Sequence, residues 1–343
     1  MENFTRPEQV VAHLGAVQAQ DYLGALWSVG LRLERASEAE VEKALAERRI
    51  VRSWPMRGTL HFVAQEDLRW LLALLGRQVV ARATRRHREL GLDEATFTKS
   101  RRLTEKALEG GKALAREEVY RALEAGGVST AGQRGIHIIQ RLALDAVLCF
   151  GARHGKQQTF VLLDEWLPPS RVLGREEALL ELARRYFIGH GPATVADLTW
   201  WSGLGAADAR RAVELARGEV EETTVEGLTC WSGPVVAPRG GPAEVHLPPG
   251  FDELLLGYRD RTALLDPAHR GKVNPGANGM LSPTVVEGGR VVGTWKRTLS
   301  KGGVAVVVRP FEVLGQRARR EIAAAAERYA TFLGRTLESL GLP

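Results

Sequence analysis

Apolar positions along the first 90 residues follow two different periods. Pro7 to Gly15 and Glu38 to Glu47 carry them at helical spacing, and Leu23 to Leu33 between them is apolar nearly throughout. Pro7 opens the first of these helices, and the Ser37-x-x-Glu40 capping box opens the third. From Ile50 to Val63 the chain changes to two β-rich runs joined through Pro55 and Gly58, where Trp54, Met56 and Leu60 alternate with polar neighbours. A long helix from about Gln65 to Leu90 follows. Three helices and then a hairpin is the layout of a winged helix.

The same layout recurs twice with little residue identity. Helices near Ser100–Leu108, Arg116–Ala125 and Gly135–Ala146 precede strands at Val147–Phe150 and Thr159–Leu163. Helices at Arg175–Ile188, after the Thr194–Asp197 capping box, and at Ala206–Arg217 precede a hairpin of Val220–Val225 and Leu228–Trp231. From about Pro242 the composition shifts to Pro, Gly and Val. Short strands are expected at Val245–Leu247, Thr284–Val286, Arg290–Trp295 and Gly303–Val308, with a tight turn at Glu287-Gly-Gly-Arg290. A final amphipathic helix is expected over Gln316–Leu340. The fold class is therefore α+β: tandem winged-helix (helix-turn-helix) modules over 1–95, 96–170 and 171–241, then a β-rich domain over 242–343, barrel-like or a curved sheet, closed by a helix.

At 343 residues, 44% hydrophobic and 26% charged, the chain has the composition of a globular protein of several domains. No apolar run approaches the roughly 20 residues that span a bilayer. The N-terminus, Met-Glu-Asn-Phe-Thr-Arg, lacks the basic-then-apolar layout of a secretion signal, so a cytoplasmic, nucleoid-associated location is expected. Cys149 and Cys230 alone exclude a disulfide framework, a zinc finger or an iron–sulfur cluster, and neither HExxH nor GxSxG occurs. Net charge is +6 with a pI near 9.5, carried by 39 Arg against 8 Lys. The surplus suits a polyanionic partner, and guanidinium forks suit phosphates and guanine edges; a GC-rich genome would also favour Arg over Lys.

Candidate chemistry concentrates in Gln18-Ala19-Gln20-Asp21, at the seam between two apolar segments and flanked by Gly15 and Gly24. A helix would turn two residues this close about 200° apart, whereas an extended connector sends both amides to one side. Two carboxamides so placed share one water or one ligand edge. They donate and accept without titrating, so they orient water without being bases.

Four stretches together resemble the winged-helix DNA glycosylases of the AlkZ type, in the family's order and over nearly the whole chain. They are Gln18-Ala-Gln20, Arg52-Ser-Trp-Pro-Met-Arg-Gly-Thr-Leu-His61, the run from His190-Gly-Pro to Trp200-Trp-Ser-Gly203, and Leu247-Pro-Pro-Gly-Phe-Asp-Glu-Leu-Leu-Leu-Gly-Tyr-Arg-Asp-Arg261. Gly250 departs from the family's third proline. The resemblance implies tandem winged helices forming a concave DNA channel, and excision of N7-alkylated guanine, including guanine tied into interstrand crosslinks, through a glutamine–apolar–glutamine motif. Here Gln18 and Gln20 fill that motif. It implies double-stranded DNA with alkylated bases as the partner. The residues themselves indicate no cofactor or metal, no membrane span and no readable dimer interface, so a monomer without an obligate protein partner is expected.

N7-alkylguanine is cationic and already a good leaving group, so such an enzyme is monofunctional, needing only to stabilise the sugar cation and to place water beneath it. Gln18 and Gln20 are expected to position that water. Asp21 either assists as a base or negative field, or caps the following helix. Arg52, Arg57 and His61 are expected either to reach DNA from a wing or to line the site beside the glutamines, and further DNA contacts are expected from Arg85 on the arginine-rich helix and from His269, Arg270 and Lys272 in the Gly-rich loop 267–279; for His61 a core imidazole is the other reading. Asp252, Glu253 and Asp260 are expected to form a network with Arg259 and Arg261 rather than to catalyse. The alternative for the whole chain is a winged-helix DNA-binding regulator or architectural protein without catalysis. Three tandem modules followed by a β-rich domain suit palindromic half-sites poorly.

Overall fold

The computed structural model describes residues 4–234, 244–276 and 279–342. The boundary expected at residue 242, and residues 277–278 of the basic loop, lie outside the described residues. Helices Pro7–Leu14, Tyr22–Gly30 and Glu38–Ala46 precede strands Ile50–Met56 and Thr59–Ala64, as the pattern predicts. A two-residue strand, Val17–Gln18, is an addition. It pairs antiparallel with the second hairpin strand, Gln18 opposite His61, giving the sheet order 17–18, 59–64, 50–56. The turn at Arg57-Gly58 has positive φ at both residues (55° and 76°), the geometry that lets a two-residue loop follow strand twist.

The arrangement repeats. Helices Glu94–Leu108, Arg116–Ala125 and Arg134–Leu144 accompany a sheet of order 114–115, 159–162, 148–150. Helices Arg175–His190, Val195–Ser202 and Ala206–Ala216 accompany the hairpin Glu221–Val225/Leu228–Ser232, with Ala193 bridging to Trp231 where the short strand lies in the other two. In each unit the segment after the first helix lies beside the last strand. These edge segments are too short to leave a periodic signal in the sequence.

The last part holds an open, mixed five-stranded sheet of order 336–341, 303–310, 290–299, 284–287, 245–246, bent by bulges at Val285/Val286 and Val304/Ala305. Among the described residues it is a curled sheet with two free edges rather than a closed barrel. The final helix is shorter than expected, Gln316–Phe332, because Gly334 turns left-handed at φ 63°. The remainder, Thr336–Gly341, becomes a strand parallel to Gly303–Pro310.

The first hairpin is buried on both faces rather than half-buried, because strand Ile50–Met56 feeds three cores at once. Ile50 belongs to a core built from helix Tyr22–Gly30 and the C-terminal sheet and helix. Val51 and Met56 pack with helix Leu68–Glu89 and the third unit. Trp54 packs into the second unit, 5.1 Å from Phe150 between ring centres. The C-terminal sheet thus has no core of its own on this side: Trp27 lies 5.0 Å from Tyr329 and 4.9 Å from Phe332. Gly30 allows that approach, since a Cβ there would stand 2.5 Å from the Phe332 ring.

Candidate active site

The glutamine pair lies on the extended connector anticipated from its spacing. Gln18 is the last residue of the short strand and is buried, whereas Gln20 is exposed. All three motif residues are held from outside. The Gln18 backbone N–H donates to Glu253 Oε1 at 3.0 Å. The Ala19 carbonyl accepts from Arg52 Nε and Nη2, at 3.2 and 2.8 Å, while its N–H donates to the Leu60 carbonyl at 2.7 Å. Gln20 Oε1 accepts from the Leu60 N–H at 3.4 Å. Gln18 Oε1 is buried and takes no hydrogen bond from the described residues, an unsatisfied acceptor inside the motif.

Asp21 occupies the N-cap position of helix Tyr22–Gly30 with extended backbone, but its side chain makes no capping bond. The carboxylate leans toward Arg297 of the long C-terminal hairpin, 3.5 Å away, and over Gly24, where a Cβ would meet Asp21 Oδ2 at 2.6 Å. The hairpin therefore borders the glutamine motif.

Beneath Gln18 lies a buried polar cluster. Glu253, 1% exposed, also accepts from Trp201 Nε1 at 2.9 Å and faces His190 Nε2 at 3.5 Å. Burial alone would raise its pKa, but the contact with His190 and the nearby charge of Arg57 outweigh burial and hold it below the usual carboxylate value. His61 is fully buried, with Nδ1 2.9 Å from the Thr59 carbonyl and Nε2 3.3 Å from Arg57 Nη2. That pairing fixes Nδ1 as donor and Nε2 as acceptor. Burial first, then the Arg57 charge, pushes its pKa down to about 3, so the imidazole is neutral.

The expected DNA contacts divide. Arg52 does not reach outward from a wing but lies beside the glutamines: it is 7% exposed, spent on the Ala19 carbonyl, and packed 5.3 Å from the Tyr22 ring and 4.7 Å from the Phe150 ring. Burial lowers its pKa to about 10. His61 is likewise a core imidazole with no exposed surface. Arg57 is half-buried at a turn pressed between neighbours: Gln140 Nε2 donates to the Gly58 carbonyl at 2.9 Å, and Gly203 lies beside the Arg57 stem. This turn cannot reach outward as a wing does. Arg85 is exposed and paired with Glu89 at 3.0 Å. Arg270 and Lys272 are exposed, while His269 tilts over Phe311 at 4.3 Å, with the Lys272 ammonium 5.0 Å from the same ring.

The carboxylates also bond differently than expected. Asp252 is clamped by Arg32 at 2.8 and 3.0 Å and accepts from Ser28 at 2.5 Å, and Asp260 accepts from the Thr262 N–H, so neither depends on Arg259 or Arg261. Glu253, Trp201 and His190 are the site residues that spacing alone did not single out. Their signal is positional: the four stretches quoted above, 235 residues apart at the extremes of this contact, converge on Gln18 and His61.

The family model described as "DNA glycosylase AlkZ-like" matches residues 11–332. An interstrand DNA cross-link repair glycosylase of Streptomyces sahachiroi is 28% identical over 321 residues, covering 86% of this chain and 84% of that protein. The solved structure of Streptomyces sahachiroi DNA glycosylase AlkZ superposes with a TM-score of 0.80 at 25% identity, covering 98% of this chain and 94% of that one. With the model spanning nearly the whole length and the curled-sheet α+β fold shared, the chain belongs to the AlkZ-like DNA glycosylase family.

Proposed function

We propose that this glycosylase excises cationic N7-alkylated guanine from double-stranded DNA, crosslinked guanine included, with Gln18 and Gln20 placing the attacking water. The observation that carries the reading is the motif itself. It is an extended segment, fixed at each residue, whose buried Gln18 Oε1 has no protein donor and whose Gln20 faces solvent. In the reaction the C1′–N9 bond breaks, the guanine leaves as a neutral base, and water oxygen bonds C1′. The water proton passes to Asp21 or to solvent. Alkylation has already placed positive charge on the leaving group, so neutral amides suffice where a poor leaving group would need an acid. Asp21, beside Gln20, adds negative charge on the side of the sugar cation.

The three repeated units are tandem winged helices over 1–95, 96–170 and 171–241, preceding the sheet domain over 242–343, and the protein acts as a monomer on cytoplasmic DNA without a cofactor. Arg85, Arg270 and Lys272 track phosphates. Arg57 serves at the floor of the motif. The relative named as a cross-link repair glycosylase supports extending the substrate to crosslinks. The test is release of base from an N7-methylguanine duplex. Gln18→Ala and Gln20→Ala each lower the single-turnover rate by about 10²-fold or more, as loss of one preorganised polar group does, with DNA affinity nearly intact. Unchanged excision in both variants ends the proposal.

A further inference from the structure

Glu253 is a buried carboxylate without a bidentate cation. Its neighbour Asp252 shows how this fold neutralises a buried acid, through a forked contact with Arg32 and a hydroxyl donor. Glu253 instead accepts from two neutral donors, the Gln18 backbone N–H and the Trp201 indole, with His190 Nε2 standing off at 3.5 Å. Leaving an ionised group in the interior on such terms is costly, but a Gln of the same shape has a single acceptor oxygen and could not accept from both donors. What the two oxygens add is a hold on both N–H groups at once, tying the Gln18 backbone to Trp201 of the third unit. The hold comes from a short helix, Glu253–Leu256, that is itself docked on the third unit: Tyr186 donates to the Gly257 carbonyl at 2.7 Å and Tyr258 to the His190 carbonyl at 2.6 Å.

We infer that Glu253 is a positioning residue for base excision, fixing the backbone of Gln18 and thereby the carboxamide that orients water. The inference rests on the proposed function. Gln18 is paired on one side, to the strand carrying His61, and its N–H turns to the other side, where Glu253 meets it. Without that acceptor the edge of the short strand is free to shift. A displacement near 1 Å at a reacting centre costs about 10²-fold in rate.

The experiment measures single-turnover release of N7-methylguanine, half-saturation by duplex, and melting temperature for the full chain, Gln18→Ala, Glu253→Gln and Asp252→Asn. Glu253→Gln is expected to lose about 10- to 100-fold in rate with half-saturation within about twofold. Asp252→Asn, on the same turn but without contact to the motif, is expected to melt lower yet cleave within about threefold of the parent, because its hold is structural alone. Rates that fall in parallel with melting temperature in both variants, or a Glu253→Gln rate within threefold of the parent, overturn the inference. If Glu253→Gln does not fold, Glu253→Asp is judged by the same criterion, and failure of both to fold assigns the residue to the fold and overturns the inference as well. An inactive parent chain refutes the function itself, a result distinct from an active parent whose Gln18→Ala is dead and whose Glu253→Gln is unchanged.

Discussion

Replacing Arg52 by Met separates support of the motif from stability. The side chain gives two hydrogen bonds to the Ala19 carbonyl, one at 2.8 Å and one at 3.2 Å. Charged hydrogen bonds contribute about 1.5–3 kcal/mol each, and two sharing one acceptor are taken here as about 3 kcal/mol together. Its stacking beside Tyr22 and Phe150 adds about 1 kcal/mol net of what a thioether recovers. Against this stands the cost of burying the guanidinium. A pKa lowered from 12.5 to about 10, chiefly by burial, corresponds to about 3 kcal/mol against the charged side chain, which Met does not incur. The net loss is then about 1 kcal/mol, a few degrees of melting temperature at most. The excision rate behaves otherwise, because the middle carbonyl of the motif is released, and a fall near 10²-fold is expected. Single-turnover excision beside a melting curve reads both. An unchanged rate refutes the bracing role. Weakened DNA binding with an intact rate restores Arg52 as a phosphate contact.

Two further outcomes are expected. His61 has a pKa of about 3 folded and 6.5 unfolded, so between those values the unfolded chain binds the extra proton and stability falls as pH drops, by up to about 1.4 kcal/mol per pH unit. His61→Asn removes that slope from denaturant midpoints measured between pH 6.5 and 4, and an unchanged slope contradicts a neutral imidazole. Arg85→Ala and Arg270→Ala each weaken duplex binding and reduce the slope of log affinity against log salt by about 1, whereas an unchanged slope removes that residue from the interface.

Legibility in the sequence followed the range of the interactions. Helices and hairpins were readable because apolar period, capping boxes at Ser37 and Thr194, and glycine turns are local signals. The end of the last helix was misread because the stretch after Gly334 keeps helical composition, while a parallel pairing with Gly303–Pro310 decides its state. The glutamine motif was legible as an extended or turn-like connector from its spacing and its flanking glycines. Which of its two readings Arg52 would follow was not legible, because alternation assigns one face of a strand to solvent. That rule fails when a hairpin is enclosed by three cores, and nothing within residues 50–64 announces the enclosing partners.

On the proposed function, the same enclosure is what lets uncharged amides orient water. A carboxamide binds water no better than many surface groups do, so its value lies in being aimed, and aim requires that its backbone not move. The chain achieves this one step behind the motif. Arg52, against Phe150 of the second unit, grips the Ala19 carbonyl, and Glu253, against Trp201 of the third, grips the Gln18 N–H. The two grips act on adjacent residues, so on the proposed function their positional effects add. Under this arrangement the motif's geometry is a property of the assembled chain. Substitutions at Phe150 or Trp201, far from Gln18 in sequence, are then transmitted to the rate through backbone position rather than through charge.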